Sequence, residues 1–145
     1  MYCAPDELKD YLFHKYLAKI EELEPGLVQR HIDSACALID DMLRPRFRLP
    51  LPNPPETIRR IARVISAYRC VGAITTMMST ESNSANEWIP LQTQYKEVMR
   101  QLEDIAVGKM DVGLEALGNE PEDLASEILT HSRKPLFGDA FWSKY

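Results

Sequence analysis

Ile39-Asp40-Asp41-Met42-Leu43-Arg44-Pro45-Arg46-Phe47-Arg48-Leu49-Pro50-Leu51-Pro52 decides how this chain is built. An amphipathic helix runs into the segment and is predicted to stop at Pro45. A basic-aromatic strip follows, and prolines 45, 50, 52, 54 and 55 then lead to a second helix. Each proline fixes φ and biases its predecessor toward an extended shape, so the strip reads as a stiff connector.

Helical spacing continues on both sides. Upstream, Leu27 to Leu43 carries Val28, Ile32, Ala35, Cys36, Ile39 and Leu43 on one stripe. Downstream, a long helix begins near Pro55-Glu56-Thr57, where a first-turn proline costs no helical hydrogen bond. Its stripe is Ile58, Ile61, Ala62, Ile65, Tyr68 and Gly72, widened by Val64 and Val71, which marks it as central. A third long helix carries Trp88, Leu91, Tyr95, Val98, Met99, Leu102, Ile105 and Ala106, and Gly108 closes it. A short N-terminal helix opens at Pro5-Asp6-Glu7-Leu8 and places Leu8, Tyr11, Leu12 and Tyr16 together, until Glu24-Pro25-Gly26 breaks the pattern. Residues 79–86 read as a polar loop, and a short C-terminal helix fits Pro121 to about Leu129. The expected fold is all-α: three long helices, short N-terminal and C-terminal helices, a proline-rich connector and an extended C-terminal tail. The expected division is a helical domain over 1–110 and an arm over 111–145. The predicted core is Ile32, Ile39, Leu43, Ile58, Ile61, Ile65, Tyr68, Val98, Leu102 and Ile105.

Composition narrows the function classes. At 145 residues the chain suits one domain, which at this size buries roughly 70% of its unfolded surface. A net charge of −5 argues against a general nucleic-acid binder, which needs a basic face. Cys3, Cys36 and Cys70 are odd in number and far apart, which fits a reducing cytoplasm better than a disulfide framework. The opening residues lack the basic and apolar regions of a signal peptide, and no apolar run suits a membrane span.

No catalytic or cofactor pattern emerges. Cys36 and Cys70 lie on or beside apolar stripes, where cysteine acts as a small hydrophobe, while Cys3 is a candidate for exposure. His14, His31 and His131 lack ligand spacing, and neither a Gly-rich dinucleotide motif nor a P-loop occurs. Asp40 and Asp41 point about 100° apart on a helix, so their expected partners are the arginines that follow. The expectation is therefore no enzyme, no cofactor and no metal. Arg59, Arg60, Arg63 and Arg69 stud the second long helix below Arg44, Arg46 and Arg48. They fit a phosphate-contacting face, solvated ion-pair partners for Asp33, Asp40 and Asp41, or a subunit interface. Five acids and no base lie between Glu115 and Glu127. The last nine residues hold four aromatics, Phe137, Phe141, Trp142 and Tyr145, in a segment broken by Pro135 and Gly138. Such side chains need a surface to cover them.

Several stretches resemble one family in chain order. Tyr2-Cys3-Ala4-Pro5-Asp6-Glu7-Leu8 is similar to its opening Y-x-T/A-P-x-D/E-L. Ile39-Asp40-Asp41-Met42-Leu43 through Arg46-Phe47-Arg48-Leu49-Pro50-Leu51 resembles I-D-x-Y-L-x-x-R-Y-x-L-P-L, with Met42 and Phe47 in place of the usual tyrosines and Pro45 an added stiffener. Ile61-Ala62 to Tyr68 resembles L-x-x-A-x-x-I-A-x-Y, and Tyr95 to Gly108-Lys109 resembles Y-x-x-A-x-x-x-L-x-x-I-A-x-G-K. Ser132-Arg133-Lys134-Pro135-Leu136-Phe137-Gly138-Asp139 is similar to a tail near R-x-F-S-R-D, whereas Met110 to Thr130 matches little. The family is the small Mu-type phage and prophage proteins grouped with head–tail joining (connector, or head-completion) proteins. The resemblance implies an all-helical structural subunit that assembles into a homo-oligomeric ring, with no catalytic residues. Its implied neighbours are the phage portal and tail-side proteins, with DNA only as passing cargo and no membrane. Its implied location is the bacterial host cytoplasm during assembly and then the virion. Arg46, Phe47, Arg48, Leu49, Phe137, Phe141, Trp142 and Tyr145 are the expected assembly contacts, exposed in a single subunit. The alternative is a small helical DNA-binding regulator using the Arg59/Arg60/Arg63 helix.

Overall fold

A computed structural model describes residues 1–77 and 88–117. A 3-10 helix over Pro5–Asp10 is followed by α1 (His14–Leu23), α2 (Leu27–Leu43), α3 (Glu56–Met77) and α4 (Ile89–Val107). The fold is all-α, with no β-strand among the described residues. The loop expected at 79–86, the helix expected at Pro121–Leu129 and the aromatic tail lie outside the described residues. The body formed by Met1–Glu115 is a unit in itself.

The long helices begin and end where local chemistry dictates. Gly26 reaches φ 82° in the left-handed region and lets the chain turn from α1 into α2. Pro55 opens α3, its carbonyl accepting the Arg59 N–H at 3.1 Å. Gly108, at φ 83°, terminates α4. Beyond it the Lys109 and Met110 amides both return to the Asp104 carbonyl, at 2.8 and 3.1 Å. Arg44 remains right-handed helical although it precedes Pro45. The regular helix nonetheless ends at Leu43, before the proline, and the chain continues as a turn through Arg46.

The helices pack antiparallel around α3. Arg69 of α3 donates to Ser34 of α2, and near the other end Arg60 Nη2 donates to Gln101 Oε1 of α4 at 2.5 Å. Tyr68 stacks on Tyr95 with centroids 4.0 Å apart and planes 12° from parallel. The stripe residues Ile32, Ile39, Leu43, Ile58, Ile61, Ile65, Val98, Leu102 and Ile105 are all fully buried. Tyr68 is only half-buried, because its ring lies along the α3–α4 seam against Tyr95. Gly72, which the pattern put on the α3 stripe, is exposed.

The N-terminal stretch differs from its expectation. The residues from Pro5 to Tyr16 do not form one helix. The 3-10 turn ends at Asp10, and Phe13, extended at φ −58° and ψ 141°, starts α1 afresh. Leu8 and Leu12 both remain buried, the Leu12 amide donating to the Leu8 carbonyl at 2.9 Å just past the end of the 3-10 helix.

Candidate functional site

Residues 2–3 are built into the core. Tyr2 and Cys3 are buried, so Cys3 is not the exposed thiol that its terminal position suggested. The Tyr2 hydroxyl donates to the Asp40 carboxylate, and its backbone N–H lies 3.4 Å from Cys36 Sγ. Cys3 Sγ sits 3.8 Å from the hydroxyl of Ser66, a fully buried polar side chain whose own hydroxyl donates to the Ala62 carbonyl at 2.7 Å. Asp40 thus serves Tyr2 and not an arginine, while Asp41 does pair with Arg44 at 3.2 Å.

The thiols are tuned away from reactivity. Burial pushes Cys3 up to about 11 and Cys70 up to about 12, the reverse of the lowered value a nucleophilic cysteine needs. Burial, together with Arg69 and Arg30, holds His31 below its ordinary range. Its Nε2 is a buried atom with no hydrogen-bond partner. Among the described residues no three His, Cys, Asp or Glu side chains are grouped to hold a metal ion, and no helix is long and apolar enough to cross a membrane.

The connector is only partly the free strip that its composition suggests. Phe47 is 6% exposed and belongs to the subunit's own core. Its amide donates to the Leu43 carbonyl at 2.9 Å, and that of Arg46 to the same carbonyl at 3.0 Å. This turn swings the Phe47 ring inward. The Arg46 guanidinium occupies the space where a Cβ on Gly108 would sit, so it lies against the C-terminal end of α4. A cation is favoured there by the helix dipole. Arg48 is exposed and Leu49 half-exposed, and the Leu49–Pro50 peptide is cis. Phe137, Phe141, Trp142 and Tyr145 lie outside the described residues.

The basic face of α3 is largely engaged within the chain. Arg63 is bound to Glu56 with 14% of its side chain exposed, and Arg60 is held by Gln101. Of the three arginines in the DNA-binding alternative, Arg59 alone is exposed.

A second surface lies at the opposite end of α3. Phe13, Tyr16 and Trp88 form an aromatic row with centroid spacings of 6.3 and 5.3 Å. The Lys15 ammonium stands 4.9 Å from the Tyr16 centroid and 5.8 Å from that of Phe13. Sequence periodicity missed this row because Phe13 falls off every helical stripe. The available signal was an aromatic with no core position to fill.

No curated protein matches the chain. The family model described as Bacteriophage Mu, Gp36 matches residues 2–130. The match begins at the buried Tyr2 and takes in all five helical elements of the body. By that match the chain belongs to the Bacteriophage Mu Gp36 family.

Proposed function

We propose that this protein is a structural subunit of a phage or prophage head–tail connector ring, acting by oligomeric assembly around the DNA channel. Membership of a phage family across residues 2–130 is the observation that carries the reading. The side-chain chemistry agrees with a role outside catalysis, since the buried thiols are raised in pKa and Arg60 and Arg63 of α3 are held within the chain. The antiparallel bundle is the rigid wedge. Arg48 and Leu49 on the connector, and the aromatics of 137–145, reach the neighbouring subunits. The portal and tail-side proteins are the partners above and below. A net charge of −5 lets DNA pass as cargo without adhering. The protein then works in the host cytoplasm during assembly and in the virion afterwards.

Negative-stain microscopy of concentrated protein tests the reading, with rings expected and monodisperse monomer the refuting result. Truncation after Thr130 should leave the melting temperature nearly unchanged and abolish assembly. A large loss of monomer stability with assembly retained would make the tail part of the subunit fold. Amide exchange refines the connector's role. The Arg48 and Leu49 amides should gain protection only in the oligomer, whereas Phe47, already bonded to Leu43, should be protected in both states.

A further inference from the structure

We infer that the groove between the Phe13 turn and the start of α4 is the socket for the Phe137–Tyr145 segment of a neighbouring copy, an inference that rests on the ring reading above. The groove has a volume of about 250 Å³ and is floored by Leu12 and Leu91. Its apolar rim is open, with Phe13 68% exposed. A dry cavity of about 150 Å³ takes up benzene, so this groove has room for an aromatic side chain. Its walls are preorganised. The Phe13 ring lies against Tyr16 with centroids 6.3 Å apart, and Trp88 is wedged edge-on against Tyr16. Filling the groove therefore orders few new side chains, which favours binding.

The sequence names the occupant. Residues 118–145 form a 28-residue stretch beyond the last described position. With the helix expected at 121–129 in place, the stretch still reaches about 75 Å, more than twice the roughly 28 Å length of a helix like α4, so it can cross to an adjacent subunit. Its aromatics are the residue types that dominate interface energy when seated in a pocket. Lys144 stands between Trp142 and Tyr145. Of the two charged groups lining the groove, Lys9 is paired with Asp6 at 3.0 Å, which leaves Asp10, an exposed carboxylate with no ion pair among the described residues. Aromatic rings with a cation thus face an aromatic groove with an anion.

Full-length chains test this by disulfide trapping. Asp10→Cys in a mass-tagged chain is mixed with Ser143→Cys in an untagged chain and oxidised. Both positions flank the aromatic contacts and leave them intact; native Cys3 and Cys70 are buried, and the half-buried Cys36 is replaced by Ala in both chains. The expected product is a tagged–untagged heterodimer. In a parallel sample, Phe13→Asp, a change at an exposed position, should abolish assembly while leaving the melt unchanged. Rings that form with no heterodimer and no effect of Phe13→Asp overturn the socket but leave the ring reading standing. A heterodimer without rings upholds the socket and removes the ring. In a third sample a single chain carries both substitutions, and a disulfide that forms only within that chain, with no heterodimer in the mixture, overturns the inference in favour of self-docking.

Discussion

Seating Arg46 against Gly108 makes a quantitative prediction about one helix end. Gly108→Ala meets two obstacles. The left-handed φ of 83° costs a non-glycine residue about 1–2 kcal/mol, partly offset by about 0.4–1 kcal/mol from the stiffer unfolded chain. The new methyl would also overlap Nη1, Cζ and Nη2 of Arg46 together, so the whole guanidinium must leave. That forfeits the cation at the α4 C-terminus, worth about 0.3–1 kcal/mol, along with its packing. Gly26 is the control: it has nearly the same φ, 82°, and nothing within 4 Å of an added Cβ. Urea unfolding should therefore give a loss of about 1 kcal/mol for Gly26→Ala and about 1.5–2 kcal/mol for Gly108→Ala. In an Arg46→Ala background the cost of Gly108→Ala should fall back to about 1 kcal/mol, because the obstacle is already gone. A coupling within the roughly 0.3 kcal/mol scatter of independent sites would refute the seating of Arg46.

Other expectations are simpler. Ile61 is fully buried at the centre of α3, so Ile61→Ala should cost about 2–5 kcal/mol by urea unfolding, and a loss under about 0.5 kcal/mol would remove it from the core. His31 takes up its proton more readily unfolded than folded, so its contribution is complete above pH of about 6.5 and declines as pH falls below that. His31→Gln should flatten the stability profile below pH of about 6.5, and superimposable profiles for the two proteins would exclude His31 as the cause. With pKa values of about 11 and about 12, Cys3 and Cys70 should resist a thiol reagent at pH 8 until urea unfolds the chain. Rapid labelling of the native protein at either position would contradict their burial.

Most of the bundle was legible because periodicity reports burial directly. The α2 boundaries, Leu27 and Leu43, and the Gly108 terminus of α4 follow from stripe, proline and glycine. What periodicity cannot report is a side chain placed by a distant partner. Tyr2 and Cys3 sit in a stretch too short to show a period, and their burial depends on Asp40 and Ser66. Phe47 looked exposed because arginines flank it, yet a single turn onto the Leu43 carbonyl reverses its direction. Phe13 is the converse. Its neighbours Leu12 and Leu17 are buried, and only the break between the 3-10 turn and α1 turns it outward. The arginines of α3 show the same limit. Their spacing is plain in the sequence, but Gln101 and Glu56 decide which of them remain free.

The burial of Tyr2 and Cys3 has a bearing on synthesis. Their contacts, Asp40 and Ser66, lie 38 and 63 residues further along the chain. At ribosomal rates of about 5–20 residues per second, Ser66 is made roughly 3–13 seconds after Cys3. During that interval Cys3 lacks its Ser66 neighbour, and α2 has no α3 to cover its stripe. The bundle therefore cannot close as a folded unit from its first half, and the nascent chain must carry Cys3 and the α2 stripe uncovered until α3 has emerged.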